Sequence, residues 1–293
     1  MKKGLEIIKK GNKRGLDRGL RQGMNKGLHH IPSVFEPETI LWLVQLGKIA
    51  NVTLPSAYYQ ANMNLLIKEL KKNNFWRRLD RMWVFAAEQQ AHAVVSIVNP
   101  NSSADWPSNI TEVNTPSWTK LQGYIGNGSA YLNTNYNPTA SNYNVLQNNT
   151  SFGVYIYNLV TGTYQDMGAQ NGGVNGSQII VANTSGGFKG GTNCSTFITA
   201  SPNVLSPGLF AANRADSNIE NIFRNGLNVG SLSNTSAAQP NYPFFIMAVN
   251  DAGTVSGQSS NTYSMAFIGS AEFDQGVFYN IFQQFACRLG FNV

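Results

Sequence analysis

Cysteine and histidine are both scarce in this sequence. Cys194 and Cys287 are its only cysteines, and they are too few and too far apart for a disulfide framework or a C-x-x-C motif. We interpret both as free, buried thiols of a protein assembled in a reducing cytoplasm, with a single disulfide as the alternative. The three histidines are His29, His30 and His92.

These absences limit the chemistry that the chain can perform. A Ser-His-Asp triad would have to use His92, and no G-x-S-x-G elbow supplies its nucleophile. Neither Cys nor His occurs at zinc-ligand spacing, and no Asp-rich loop indicates calcium. We therefore expect no metal, no cofactor and no catalytic site, with calcium bound by loop Asp and Asn oxygens as the open alternative.

Long hydrophobic runs are also missing. The longest apolar stretch lies around Ile40–Leu46, is interrupted by Gln45 and is far too short to span a bilayer. Near the N-terminus, the short stretch Gly4–Ile8 is followed at once by Lys9 and Lys10, so no signal-peptide core forms. We expect neither membrane insertion nor secretion by that route.

Charge is sparse and unevenly distributed. Charged residues make up 12% of the 293 residues, about half the usual share. Residues 1–99 hold 16 Lys or Arg against 7 Asp or Glu, whereas residues 100–293 hold 5 against 8. This asymmetry predicts an acidic partner for the N-terminal part alone.

The acidic partner could be a protein surface or a nucleic acid. Because residues 1–34 have no aromatic side chain to stack on bases, we favour an acidic protein surface, although phosphate contact stays open.

A repeat of period four occupies residues 15–30, where each copy begins with glycine. Four residues turn a helix by ~400°, so the glycines would form one edge and the following apolar residues another. Each glycine costs ~1 kcal/mol relative to alanine, so the helix should order only against a partner. We predict a docking peptide, with a basic tail that binds nothing specific as the alternative. Its docking residues would be Gly15, Arg18, Gly19, Arg21, Gly23, Lys26 and Gly27.

Three segments follow from the pattern along the chain. Residues 1–36 form the basic docking segment, which Pro32 and Pro37 end. Residues 37–87 predict a helical neck, with one helix over Pro37–Ala50, a second opened by Pro55, and a stretch at 76–87 that starts helical and ends as a strand. Residues 88–293 form the third segment.

The third segment predicts an antiparallel β-sandwich. Its short apolar or alternating runs are separated by turn residues. Asn225-Gly226 predicts a two-residue hairpin, and the glycine-rich stretches 168–176 and 186–191 are assigned to loops. A final helix should start at the N-cap Asp274 and end at Gly290. The predicted strands are Ala93–Val98, Ala130–Thr134, Phe152–Asn158, Ser177–Ala182, Cys194–Ala200, Leu209–Ala212, Ile222–Phe223, Phe244–Val249 and Tyr263–Ser270.

Two blocks carry a resemblance to a known family. Leu65–Ala86 resembles a segment of tailed-phage structural proteins in which a short helix leads into a lectin-like sandwich. Pro116–Pro138, with its Gly126-Asn-Gly-Ser129 core, is similar to a second block of that family, and Arg224–Gly226 and Phe267–Ser270 match later strands more weakly. The resemblance covers about residues 60–293. It is to concanavalin A-like and laminin G-like jelly rolls on virions of phages that infect Bacteroidetes, including the crAss-like group.

This resemblance implies a mostly β, antiparallel jelly-roll sandwich with an N-terminal basic and helical anchor and a C-terminal helix. It implies a non-enzymatic head fibre or capsid decoration, assembled in the bacterial cytoplasm and located on the virion. Residues 1–50 would bind the major capsid protein or another virion protein, and phage fibres suggest a homotrimer. A tail fibre or adhesin and a structural adaptor are the alternatives.

The sandwich would face outward and contact either a host-surface glycan or another virion protein. Trp106, Trp118 and Tyr124 are candidate glycan contacts, with packing in the core as the alternative for each. A further alternative is a sandwich glycanase that uses Glu272 and Asp274, because two carboxylates at i and i+2 on a strand share one face. The competing interpretation of that pair is a polar turn with a helix N-cap.

Overall fold

The computed structural model describes residues 35–100, 109–140, 143–173, 175–182, 187–200, 206–272 and 274–293. Two β-sheets face each other, and helices cover one of them. The helices are α1 (Pro37–Leu46), α2 (Ala57–Lys72), α3 (Gln90–Ala93) and α4 (Gln275–Leu289).

The strands form two mainly antiparallel sheets. Sheet I runs in the order β13-β12-β11-β6-β17-β4-β3, with β1 also paired to β17. Its strands are β1 (Leu79–Val84), β3 (Ser117–Thr119), β4 (Gly123–Ile125), β6 (Thr150–Asn158), β11 (Gly208–Arg214), β12 (Ile219–Arg224), β13 (Leu227–Ser233) and β17 (Thr262–Gly269).

Sheet II runs in the order β10-β9-β8-β7-β14-β5-β2, and β15 joins it through β7 and β16. One pair in it, β15 with β7, is parallel. Its strands are β2 (Thr111–Val113), β5 (Tyr131–Asn133), β7 (Met167–Gln170), β8 (Gly176–Ile180), β9 (Phe188–Cys194), β10 (Ile198–Ala200), β14 (Phe245–Ile246), β15 (Val249–Asp251) and β16 (Thr254–Ser256).

Aromatic side chains fill the space between the sheets. Phe188 of sheet II meets Phe210 of sheet I edge to face, with ring centroids 5.2 Å apart. Phe152 of sheet I meets Phe244 in the same way at 5.1 Å. Such contacts bury large apolar surfaces, the main stabilising term of a sandwich. The predicted fold class, a mostly β antiparallel jelly-roll sandwich, is confirmed.

The C-terminal helix packs on the outer face of sheet I. Phe278 of α4 contacts Phe267 of β17, with ring centroids 4.7 Å apart. The Asp274 side chain accepts hydrogen bonds from the backbone of Gly276 and Val277, and Gly290 adopts the left-handed conformation at φ 77°. Both predicted ends of this helix are confirmed, because each depends on a residue type that only a helix end requires.

The expected neck does not separate from the sandwich. β1 lies in sheet I, where Met82 pairs with Phe267 of β17, and all six of its residues are buried. The helices α1 and α2 contribute Trp42, Tyr59 and other side chains to the same core. The boundary expected at Glu88 is therefore absent, because a strand pairing across almost the whole chain draws residues 79–84 into the sheet.

Five local predictions need correction. The predicted strands Cys194–Ala200 and Phe244–Val249 are each divided, the first between β9 and β10 and the second between β14 and β15. Ala93–Val98 is not a strand: it follows α3 and makes a single bridge between Val95 and Asn109. The glycine-rich stretches contain parts of β7, β8 and β9, and a Cβ at Gly168 would lie 2.1 Å from the carbonyl oxygen of Ser177. Gly168 therefore allows close strand approach, whereas Gly172 and Gly173 lie in the turn between β7 and β8, as the loop assignment expects. Cys287 is exposed, although Cys194 is buried and both thiols are free.

The hairpin at Asn225-Gly226 is confirmed. Asn225 has φ 49° and Gly226 has φ 79°, and these two residues connect β12 to β13. Positive φ at both central positions is the requirement of a type I′ turn, which Asn-Gly meets at little cost.

Candidate functional site

Three separate chain segments meet at one end of sheet I. β17 lies between β6 and β1, so that Gly269 at its end faces Ser151 on one side and Leu79 on the other. Because both pairings are antiparallel, the residues that follow β17 lie beside the residues that precede β1 and β6.

A polar cleft of about 380 Å³ lies at this junction. This volume is near the lower end of the ~300–1,000 Å³ that is typical of small-molecule sites. Its lining residues are Arg77, Arg78, Tyr143, Asn144, Leu146, Asn149, Ser270 and Glu272.

A buried carboxylate holds one wall of the cleft. Asp80 of β1 accepts hydrogen bonds from the backbone N–H groups of Asn144, at 2.8 and 3.0 Å, and Val145, at 3.1 Å. It also accepts a hydrogen bond from the Tyr136 hydroxyl at 2.8 Å. Burial raises the pKa of Asp80, and these hydrogen bonds oppose that rise. The loop before β6 is thereby tied to β1.

Backbone and amide contacts join the other walls. The Asn144 side chain donates to the carbonyl oxygen of Arg77 at 3.0 Å, and the Ser270 N–H donates to that of Arg78 at 2.9 Å. Asn149 accepts from the Ala271 N–H at 2.7 Å. The backbone on both sides of the two arginines is therefore held before any ligand arrives.

The charges in the cleft are not paired with each other. Arg77 is exposed and Arg78 half-buried, and within the described chain no carboxylate oxygen lies within 4.0 Å of either guanidinium. The exposed carboxylate of Glu272 instead accepts a hydrogen bond from the Asn149 amide at 3.3 Å. The two guanidiniums together carry ten N–H donors, and no carboxylate of the described chain pairs with them.

Tyr143 and Leu146 supply the apolar part of the lining. The Tyr143 ring stacks on Tyr136 with centroids 4.1 Å apart, and the guanidinium of Arg81 lies 5.7 Å from its centroid. Leu146 is 59% exposed at the edge of the cleft. Guanidinium and amide groups beside a fixed aromatic ring suit a ligand with many hydroxyls and an apolar face.

The aromatic residues proposed as glycan contacts lie elsewhere. Tyr124 is fully buried, and its hydroxyl donates to Glu112. The Trp118 indole donates to the carbonyl oxygen of Phe85 at 2.9 Å and its ring packs against the core. The positions of Trp118 and Tyr124 agree with the alternative that these side chains pack in the core. Trp106 lies outside the described residues, as do the docking candidates Gly15, Arg18, Gly19, Arg21, Gly23, Lys26 and Gly27.

The two carboxylates that suggested a glycanase have different surroundings. Glu272 lines the cleft, whereas the Asp274 carboxylate is engaged by two backbone N–H groups at the start of α4. The N-cap interpretation therefore describes Asp274 but not Glu272.

The cleft residues were not predicted as a site from the sequence. Arg77 and Arg78 lie within Leu65–Ala86 and are separated from Glu272 by most of the chain. No spacing rule joins them, because only the pairing of β1, β6 and β17 brings their segments together.

The described part of the chain has neither a metal-binding cluster nor a membrane-spanning helix. No group of three or more His, Cys, Asp or Glu side chains there has the arrangement of a metal site. No helix in the same residues combines the length and apolar character needed to cross a bilayer.

Comparisons with known proteins report similarity of fold. No protein-family model and no curated protein matches the sequence. Domain 4 of AbnA, a GH43 extracellular arabinanase from Geobacillus stearothermophilus solved in complex with arabinotriose, is 12% identical; the match covers 70% of this chain and 98% of that one, with a TM-score of 0.50.

Two other solved structures are similar at a lower level. The CBM40 of a Ruminococcus gnavus IT-sialidase matches with a TM-score of 0.37 at 11% identity, over 46% of this chain and 83% of its own. The binding domain of botulinum neurotoxin serotype D matches with a TM-score of 0.48 at 10% identity, over 74% and 52%. At these identities the likeness concerns the fold alone.

Proposed function

We propose that this chain is a non-enzymatic virion surface protein whose sandwich binds carbohydrate through the cleft around Arg77, Arg78 and Glu272. The observation that carries the binding proposal is the set of unpaired guanidinium donors beside an exposed carboxylate and two amide side chains. Sugar hydroxyls both donate and accept hydrogen bonds, so a wall that offers donors and acceptors together fits them.

The fold is compatible with this proposal. The arabinanase domain of the same fold was solved with arabinotriose, although its sequence is only 12% identical to this chain. At that identity the position of a ligand cannot be transferred. The site proposed here rests on the cleft residues themselves.

The virion part of the proposal is supported by the sequence. The glycine repeat and the excess of Lys and Arg in residues 1–99 fit a segment that docks on an acidic particle surface. The resemblance of residues 60–293 to phage jelly rolls supports a head fibre or capsid decoration, assembled as a homotrimer on the capsid. A tail fibre and a structural adaptor are the alternative roles.

A sandwich glycanase is the second candidate function. The observation in its favour is the exposed carboxylate of Glu272 in the cleft. A retaining or inverting mechanism needs a second carboxylate, and Asp274 is engaged at the start of α4. Incubation of the full chain with the glycans that it binds tests this candidate. We expect intact glycans, and cleavage that Glu272→Gln abolishes would overturn the non-enzymatic proposal.

Binding is tested by applying the full chain to a glycan array. We expect retention of a subset of glycans by the wild type and a loss of that retention in Arg77→Gln. Lys120→Gln is the matched control, because Lys120 is exposed, loses the same charge and does not line the cleft. An array without any bound glycan would favour the adaptor, and equal loss in both variants would place binding outside the cleft.

Attachment of the chain to the virion through residues 1–36 is tested during particle assembly. A chain that lacks residues 1–36 should fold and bind glycan normally but be absent from purified virions. Replacement of Arg18, Arg21 and Lys26 by Gln should reduce incorporation without removing the segment. Unchanged incorporation of the truncated chain would contradict the docking role.

A further inference from the structure

The cleft has more positive charge than its own residues neutralise. Of its eight lining residues, two are arginines, one is a glutamate and five are uncharged. Arg77 and Arg78 are neighbours in the sequence, and neither guanidinium has a carboxylate oxygen within 4.0 Å in the described chain. The lining residues therefore have an excess of one positive charge.

The single carboxylate of the cleft contacts a neutral amide and neither of the arginines. Glu272 Oε1 accepts a hydrogen bond from Asn149, whose other amide atom is bound by the Ala271 N–H. This contact gives Glu272 a neutral partner, and it forms no ion pair with Arg77 or Arg78. An unpaired guanidinium retains its full ability to form a two-point hydrogen bond with a planar carboxylate.

We infer that the ligand of this cleft is a sugar acid, whose carboxylate binds Arg77 and Arg78 while Glu272 accepts a hydrogen bond from one of its hydroxyls. This inference rests on the proposed function and names the class of glycan. A monocarboxylate matches the excess of one positive charge in the cleft. A doubly charged phosphate would exceed this balance and meet stronger repulsion from Glu272.

The volume of the cleft is compatible with a sugar ligand. Its value of about 380 Å³ lies near the lower end of the ~300–1,000 Å³ that is typical of small-molecule sites. Leu146, which is 59% exposed at the edge of the cleft, provides an apolar contact for the non-polar face of a sugar ring. A short acidic segment of a glycan therefore suits this cleft.

The test compares each acid with its uncharged form. Glucuronic, galacturonic and N-acetylneuraminic acids and their methyl esters are titrated into the full chain by calorimetry, because the ester keeps the ring and removes only the charge. At least one acid should bind about 10-fold or more tightly than its ester, the ratio expected for one charge-assisted hydrogen-bond pair. Higher ionic strength should reduce this difference.

Two variants of Arg78 distinguish a two-point guanidinium contact from the effect of a positive charge alone. Arg78→Gln should abolish the preference for the acid, and Arg78→Lys should restore only part of it, because an ammonium cannot form the two-point contact. Lys120→Gln should leave the preference unchanged. Circular dichroism and thermal unfolding of each variant establish that it remains folded.

The outcomes distinguish this inference from the function on which it rests. Equal binding of acids and esters, or array binding confined to neutral glycans, overturns the sugar-acid inference while carbohydrate binding stands. Inorganic phosphate that competes as well as the best sugar acid also overturns it, in favour of a general anion site. Absence of binding to any glycan overturns both proposals.

Discussion

The hydroxyl of Tyr136 donates a hydrogen bond to the buried carboxylate of Asp80 over 2.8 Å. This contact joins β1 to the chain that leads into the cleft loop, and the same carboxylate accepts from the N–H groups of Asn144 and Val145. The position of the cleft wall therefore depends on a residue that does not line the cleft.

Replacement of Asp80 should destabilise the domain and weaken binding together. Asp80→Ala leaves several buried donors without an acceptor, and we expect the free energy of unfolding to fall by about 2–3 kcal/mol. Tyr136→Phe removes one of those donors and should cost only about 1 kcal/mol. Urea unfolding of the two variants measures the difference, and equal losses would show that the loop contacts of Asp80 contribute nothing.

The stability of the domain should depend on the protonation of His92. Its Nε2 donates to the carbonyl oxygen of Thr53 at 2.8 Å, and its buried Nδ1 has no partner in the described chain. Burial lowers the pKa of His92 from its ordinary value of 6.5, against the smaller opposing effects of Thr53 and Glu88. The folded state thus favours the neutral ring.

The direction of the pH effect follows from linkage. Below pH 6.5, His92 is protonated in the unfolded chain but stays neutral in the folded chain until its lower folded-state pKa is reached. The free energy of unfolding should therefore fall as the pH decreases from 7 toward 5. His92→Gln should flatten this part of the profile, whatever its stability at pH 7. Unfolding at several pH values tests this, and a profile that stays equally steep in His92→Gln would assign the effect to other groups.

The cap of α4 offers a stability test that is separate from binding. Asp274→Ala removes the acceptor for the Gly276 and Val277 N–H groups and should cost about 1 kcal/mol, whereas Asp274→Asn should be nearly neutral because asparagine also caps helices. Neither change should alter glycan binding. If Asp274→Asn reduced binding as strongly as Glu272→Gln, the two carboxylates would share a function after all.

The two thiols should react at very different rates. Cys287 is exposed on α4, whereas Cys194 is buried and burial, followed by the nearby Glu220 carboxylate, raises its pKa. The thiolate is the reactive form, so a thiol reagent should label one cysteine in the folded protein and two after denaturation. Cys287→Ser should abolish the labelling of the folded state. Two fast-reacting thiols would contradict the burial of Cys194.

Local sequence signals predicted the parts of the fold that depend on neighbouring residues. Asn225-Gly226 specified the hairpin, and Asp274 and Gly290 specified the two ends of α4. Each of these residues satisfies a backbone requirement within a few positions of itself, namely positive φ or an unpaired N–H. The alternating runs also predicted the sandwich, although glycine-rich strands such as β9 were assigned to loops.

Only the tertiary structure decided that β1 joins sheet I and that a cleft forms beside it. No sequence motif relates the positions of Arg77, Asn149 and Glu272. Their proximity arises from the antiparallel register of β17 with both β1 and β6. Such pairing depends on the packing of residues almost 200 positions apart, which no local preference encodes. Composition and local pattern thus determined the class of fold, and long-range strand pairing determined where its charged side chains meet.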